Sequence, residues 1–254
     1  MQKFRIGYFY PHQLNLYGDN GNVEILYYRA KERNFDVSVD LIDLTTTLTT
    51  SLVNSFDLVF MGGGPDSGQK EIFTDLLTNK GPYLKDYTEN NGCGLYICGS
   101  YQLCGNYYKA ADGSILQGLG MFNLYTEHFG NTKPRCIGNT VCSFDDFITD
   151  DPYKSFLGSQ VSKPHLVGFE NHGGRTYLEA GVSPLGKVIK GHGNNSEDKT
   201  EGAVYKNAFG TYFHGPVLAL NPHFADYLIA KSLSLQEMAL LPDKLAEYAH
   251  NARL

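Results

Sequence analysis

The sequence predicts an α/β fold with a mostly parallel, doubly wound central sheet flanked by helices. Three observations carry that prediction. Apolar strand-like runs alternate with helical segments through the first hundred residues. Two of those runs, "FDLVFMGGG" and "GLYICGS", stop in clusters of small residues, as strands do when they turn sharply into a helix. With 254 residues, 42 % of them hydrophobic, the chain can bury a sizeable core.

In order, "FRIGYFY" (4–10) is an apolar, aromatic run suited to a buried strand. "LYGDNGN" (16–22) is a turn, and "VEILYYRAKERN" (23–34) has helical spacing with a polar face. "DVSVDLIDL" (36–44) alternates as a strand does, and a Thr-rich stretch follows. "FDLVFMGGGPDSGQ" (56–69) is a buried strand running into glycines. Helices are predicted over 69–79 and before Asn90. "GLYIC" (94–98) is again strand, and "SYQLCGNYYKA" (100–110) begins a helix. Shorter strands follow at 135–144, 165–174, 185–191 and 201–215, and helical segments close the chain from 222 to 250. No internal repeat, low-complexity linker or boundary interrupts it, so residues 1–254 read as one domain.

Charge and composition exclude several classes. There are 21 basic and 27 acidic residues, a net charge of −6, and no segment concentrates Lys or Arg. Nucleic acid is therefore not the expected partner, because phosphate neutralisation needs a basic face. No apolar run reaches the length of a transmembrane segment and no signal peptide is visible, which predicts a cytoplasmic protein. The five cysteines include no CxxC pair, so neither a zinc site nor a redox dithiol is expected, and no metal is.

Among those cysteines Cys98 stands apart. It ends a strand and precedes Gly99 and Ser100, small residues that a nucleophile elbow requires at a strand-to-helix turn. The helix that follows points its N-terminal amides back at the thiol, which favours a thiolate and supplies donors for an oxyanion. Cys93, before the strand among polar residues, and Cys104, on the helix, read as structural thiols. A cysteine nucleophile needs a base, usually His. His214, in "FGTYFHGP", ends an apolar run at a small-residue turn, and His172, in "GFENHGG", competes with it. Spacing alone does not choose between them. "MGGGPD" (61–66) lacks the GxGxxG pattern, and no GxxxxGK[ST] occurs, so no ATP-phosphate loop is visible in this chain. Two readings remain for the glycines, a tight turn or an oxyanion loop formed by the Gly63 and Gly64 amides.

Taken together, "MGGGPDSGQ" (61–69), "YICGSYQLCG" (96–105), "GFENHGGRT" (168–176) and "GTYFHGP" (210–216) resemble the class I glutamine amidotransferases, and within them the cobyric-acid-synthase-like group. "NLYGDNGN" (15–22) and "GNNSEDKTEG" (193–202) narrow the resemblance to glutaminase subunits that serve lipid II amidation in Gram-positive cell-wall synthesis. The resemblance implies Cys98 as nucleophile and His214 as general base. It sets Gln102 near bound glutamine, Gly63 and Gly99 as oxyanion donors, and Arg135, in "KPRCIGN", on the glutamine substrate. An arginine suits that last task because its planar fork grips a carboxylate; from the residues alone Arg135 is a solvated strand-edge charge. The family also implies a heterodimer in which ammonia passes to a Mur-ligase-like synthetase, MurT. ATP and magnesium belong to that partner, this chain holds no cofactor, and lipid II is reached through the partner for conversion of its D-glutamate to D-isoglutamine.

The chain departs from the family pattern in two ways. Tyr96 and Ser100 stand where the usual elbow has glycines, and His214 is followed by Gly215 and Pro216 rather than by an acid two residues on. The resemblance implies that the partner supplies the missing acid and that this chain alone is a weak glutaminase. Asp19 and Asp66 read as turn-fixing side chains, and His172 as a structural or interface residue, in a polar edge network with Glu170 and Arg175. The rival readings are a glutaminase for another cobyric-type synthetase, a silent regulatory subunit, and a partner-free cysteine hydrolase of the γ-glutamyl hydrolase kind.

Overall fold

Apolar runs buried on both faces make the inner strands. In the structure, a computed structural model describing residues 1–144, 151–158 and 164–254, β1 (Lys3–Phe9) leads through a loop to α1 (Asn20–Lys31) and then to β2 (Asp36–Ile42). A short α2 (Thr50–Val53), capped by the Thr49 hydroxyl accepting from Leu52 N–H at 3.1 Å, precedes β3 (Leu58–Met61). The next elements are α3 (Asp66–Asp75), one wide helical turn over 76–80, α4 (Gly81–Glu89), β4 (Cys93–Ile97) and α5 (Gly99–Leu103). Every residue of β3 and β4 is buried, which is why these strands read as unbroken apolar runs rather than as alternations.

The second half is mostly strand: β5 (Tyr107–Lys109), β6 (Ile115–Gln117), β7 (Leu124–His128) and β8 (Cys136–Ser143), then a single turn α6 (Ser155–Gly158). β9 (His165–His172), β10 (Gly174–Leu178), β11 (Gly186–Lys190), β12 (Thr200–Glu201), β13 (Ala203–Tyr205) and β14 (Ala208–Thr211) follow, and α7 (Val217–Leu220), α8 (Pro222–Leu233) and α9 (Lys244–Asn251) close the chain. The central sheet has the order β13-β14-β4-β3-β1-β2. Its neighbours are parallel except β13, which pairs antiparallel to β14 at the edge. Two four-stranded sheets, β10-β7-β5-β6 and β12-β11-β8-β9, accompany it.

Two local expectations differ from what forms. The helix expected to begin in "SYQLCGNYYKA" does begin there but lasts only five residues, and 107–109 is strand. Gly105 marks the reason: a Cβ there would lie 2.4 Å from a Leu124 methyl and 2.9 Å from the Leu124 carbonyl oxygen, so the chain passes against β7 instead of coiling on. Cys93 is not ahead of the strand among polar residues but opens β4, 2 % exposed. Tyr96 fits between layers because its ring swings over Gly94, where a Cβ would meet that ring at 2.8 Å.

Candidate active site

Loops from the carboxyl ends of β1, β3, β4 and β14 meet at one edge of the central sheet, where ligands bind in open α/β folds. Cys98 follows β4 directly and holds φ 51°, ψ −104°, a conformation costing roughly 1–3 kcal/mol for a residue with a Cβ. Its surroundings over-determine it. Cys98 N–H donates to the Thr211 carbonyl at 2.8 Å, and the Ser100 hydroxyl donates to the carbonyls of Met61 at 2.7 Å and Ile97 at 3.0 Å. Ser100 thus does with a buried hydroxyl what a second glycine leaves undone. The amide of Gly99 begins α5, where a helix pairs no donor of its own.

His214 reaches Cys98 from the β14 side. Its backbone bridges Phe169, with His214 N–H donating at 2.8 Å and Phe169 N–H returning at 3.1 Å. The imidazole Nδ1 lies 3.0 Å from Asp19 Oδ1, and both side chains are completely buried. A carboxylate beside Nδ1 fixes the proton there and leaves Nε2 free, and among the described residues Nε2 has no hydrogen-bond partner. Burial works against the imidazolium, but the charge of Cys98 and the Asp19 carboxylate outweigh it, and the His214 pKa is raised.

Asp19 overturns two expectations. It is not a turn-fixing residue: it precedes α1 without capping it, and its carboxylate points away into the site. An acid therefore orients the imidazole from within this chain. The same carboxylate accepts the Gly63 amide on Oδ2 at 2.7 Å, so that amide is not aimed at an oxyanion as expected. A full negative charge is the stronger acceptor, and it holds the loop. Gly63 is needed instead for space, since a Cβ would lie 2.8 Å from His214 Cε1 and 3.1 Å from both Cys98 Cβ and Asp19 Oδ2. The Asp66 side chain lies outside the described residues.

The remaining candidates line the approach. Gln102 is buried on α5, and its Nε2 donates to the Tyr212 hydroxyl at 3.0 Å. Arg135 is exposed just before β8 and donates to Asn171 through Nε and Nη2. Arg175, which donates to the Pro134 carbonyl, fixes the backbone next to it. His172 turns away from Cys98: it stacks on Tyr212 with ring centres 3.6 Å apart, and its Nε2 faces Glu170 at 3.6 Å. That pair is buried rather than at an edge, and burial lowers the His172 pKa. Sequence reasoning missed Gln69, whose amide donates to the Gly64 carbonyl at 3.0 Å and packs over Gly99, and Tyr17, whose ring meets His214 edge-on at 4.8 Å.

Burial pushes up the thiols of Cys93, to about 12, and of Cys104, Cys136 and Cys142. Cys98 alone of the five combines a strained strand-end turn with the Asp19–His214 pair beside it, and that geometry singles it out for nucleophilic work. Among the described residues no group of three His, Cys, Asp or Glu could hold a metal ion, and no helix is long and apolar enough to cross a membrane.

With that geometry in hand, the pattern of the CobB/CobQ-like glutamine amidotransferase domain matches residues 5–222. The chain is 39 % identical over 231 residues to the Lipid II isoglutaminyl synthase (glutamine-hydrolyzing) subunit GatD of Streptococcus pneumoniae, spanning 91 % of this chain and 81 % of that protein. To the protein of the same name from Staphylococcus aureus it is 40 % identical over 245 residues, 96 % of this chain and 90 % of that one. The structure of PurLQS from Thermotoga maritima has the same fold, with a TM-score of 0.59 at 14 % identity, covering 93 % of this chain and all of that one.

Proposed function

The chain belongs to the CobB/CobQ-like glutamine amidotransferase family, and from that premise we propose that it is the glutaminase subunit of a two-chain lipid II isoglutaminyl synthase. Two GatD relatives that align along more than nine-tenths of this chain support the choice of synthase. One observation carries the chemistry: a strained Cys98 beside an imidazole whose Nδ1 is held by buried Asp19 and whose Nε2 is left over.

In this reading L-glutamine binds with its α-carboxylate on Arg135 and its carboxamide over Cys98. The thiolate attacks the carboxamide carbon, and the Gly99 amide holds the oxyanion as it forms. Imidazolium Nε2–H gives its proton to the departing ammonia, leaving a glutamyl thioester. Nε2 then takes a proton from water, whose hydroxide attacks the thioester carbonyl; glutamate is released, the sulfur leaves as thiolate, and the thiolate–imidazolium pair is restored. Asp19 keeps the ring turned and balances its charge at both steps. Loss of one oxyanion donor slows such chemistry by about 10²–10³. Ammonia then goes to a Mur-ligase-like partner, MurT, which holds ATP and magnesium and amidates the D-glutamate of lipid II. The complex works in the cytoplasm, where that ATP is.

Ammonia release from glutamine, measured with and without co-expressed MurT beside Cys98→Ala, tests the reading. Turnover that needs Cys98, and lipid II amidation that needs both chains, is the expected result. Glutamine left intact in both states would overturn the glutaminase role, and turnover without lipid II amidation would overturn the choice of synthase.

A further inference from the structure

Tyr17 has a backbone that its side chain disfavours, φ 57° and ψ 21°, in the left-handed region. Strain of this kind persists where the surroundings hold it, and they commonly do so at functional sites. Here the ring packs edge-on against His214 and against Phe169, with centres 4.8 Å and 6.1 Å away. Its hydroxyl accepts from Asn171 Nδ2 at 2.6 Å. Asn171 Oδ1 in turn accepts from Arg135 Nε at 3.1 Å and Nη2 at 2.9 Å, and the Asn171 carbonyl accepts from Nη2 at 3.1 Å.

Donor counting gives this chain a direction. A guanidinium only donates, so the oxygen of the Asn171 amide must face Arg135 and its nitrogen must face Tyr17. The phenol oxygen is then an acceptor, and its own proton is left to donate elsewhere. Among the described residues that proton has no acceptor, and Tyr17 is 46 % exposed, so the hydroxyl is open to a bound molecule. Among the described residues Arg135 Nη1 is likewise uncommitted, because Asn171 engages only Nε and Nη2. A cationic N–H and a neutral O–H therefore flank one amide at the mouth of the site, a pair suited to the two oxygens of a carboxylate.

We propose that the Tyr17 hydroxyl is a second donor to the α-carboxylate of glutamine, and that with Arg135 it selects an α-amino acid amide over a simple amide. This rests on the glutaminase reading and on Arg135 as the carboxylate anchor. Asn171 sets both donors in one frame, and the Tyr17 ring ties that frame to His214, so the carboxylate is held at a fixed reach from the reacting thiol.

The test compares L-glutamine with γ-aminobutyramide, which keeps the carboxamide and lacks the α-carboxylate, on the full chain with its partner. Tyr17→Phe keeps the ring and its packing on His214 and removes only the hydroxyl. The KM for glutamine should rise on the order of tenfold with kcat nearly unchanged, since one hydrogen bond to a charged group is lost. Turnover of γ-aminobutyramide should be unaffected, which also shows that the variant is folded. Arg135→Ala should erase most of the preference for glutamine. If Tyr17→Phe keeps the wild-type KM while Arg135→Ala loses the preference, the Tyr17 inference is overturned and the glutaminase reading stands. A fall in kcat on both substrates would also overturn it, in favour of a purely structural ring. If Arg135→Ala too keeps the preference, the anchor itself is misplaced, and the inference falls with it.

Discussion

At the scale of single residues, the site turns on an aspartate that local spacing does not reveal. The usual acid of the class sits two residues after the histidine, where this chain has Pro216. Asp19 takes its place from 195 residues upstream, out of a turn whose Gly18, Asp19 and Asn20 give every sign of fixing a loop. Cys98 and Ser100, by contrast, were legible, because a strand ending in small residues is a local pattern. Asp19→Asn tests the difference. The asparagine keeps the shape but can present its amide nitrogen to Nδ1, favouring the wrong tautomer, and kcat should fall on the order of 10²–10⁴. The pH profile gives the sign. Asp19 is one of the groups that raise the His214 pKa, so its neutral replacement lets the imidazolium lose its proton at lower pH. The alkaline limb of kcat/KM should move down, in the isolated chain and in the complex alike. Restoration of the Asp19→Asn rate by the partner would return the acid to the partner.

At the scale of elements, the strands that were easiest to read are those buried on both faces, β3 and β4. β5, β6 and β12 were not read, since two- and three-residue strands carry no periodicity of their own. β7 was not read either, and it is held by a partner far along the chain, with Thr126 opposite Thr176 of β10. The C-terminal helices were legible, but their attachment was not. Arg29, on α1 with a side chain 4 % exposed, makes two bonds to Asp226 on α8, both at 2.7 Å, and two to Asp243 before α9, at 2.7 and 2.8 Å. Arg33 adds a bond to Asp226 at 2.7 Å. Removing one member of a buried ion cluster strands the others, which costs roughly 3–5 kcal/mol. Arg29→Ala should therefore lower Tm by about 10 °C, and limited proteolysis should release the α9 segment first. Glutamine turnover at a permissive temperature should stay near wild type, because no site residue depends on this clamp. An unchanged Tm would mean that apolar packing alone docks the extension.

At the scale of the whole molecule, one buried carboxyl joins the sheet that carries the site to a neighbouring sheet. Glu201, on β12, accepts the Thr211 hydroxyl at 2.6 Å and the Tyr212 amide at 2.9 Å on Oε1, and these residues lead from β14 to His214. Complete burial pushes its pKa up to about 8, with the Glu170 charge adding to the rise, against an ordinary 4.5. The folded protein thus holds a proton that the unfolded chain gives up. Such a group contributes its full stability below pH 4.5 and loses it as pH climbs toward 8, at about 1.4 kcal/mol per pH unit. The sequence shows Glu201 only as one acid in the polar stretch "SEDKTEG", so nothing in its neighbours marks it as neutral. Glu201→Gln keeps an acceptor for Thr211 and Tyr212 and cannot ionise. Its advantage in Tm over wild type should be smallest at pH 5, grow through pH 6.5, and level off above pH 8. A difference that stays constant across those three pH values would mean that Glu201 is ionised in the folded state, stabilised by its two donors rather than by a proton.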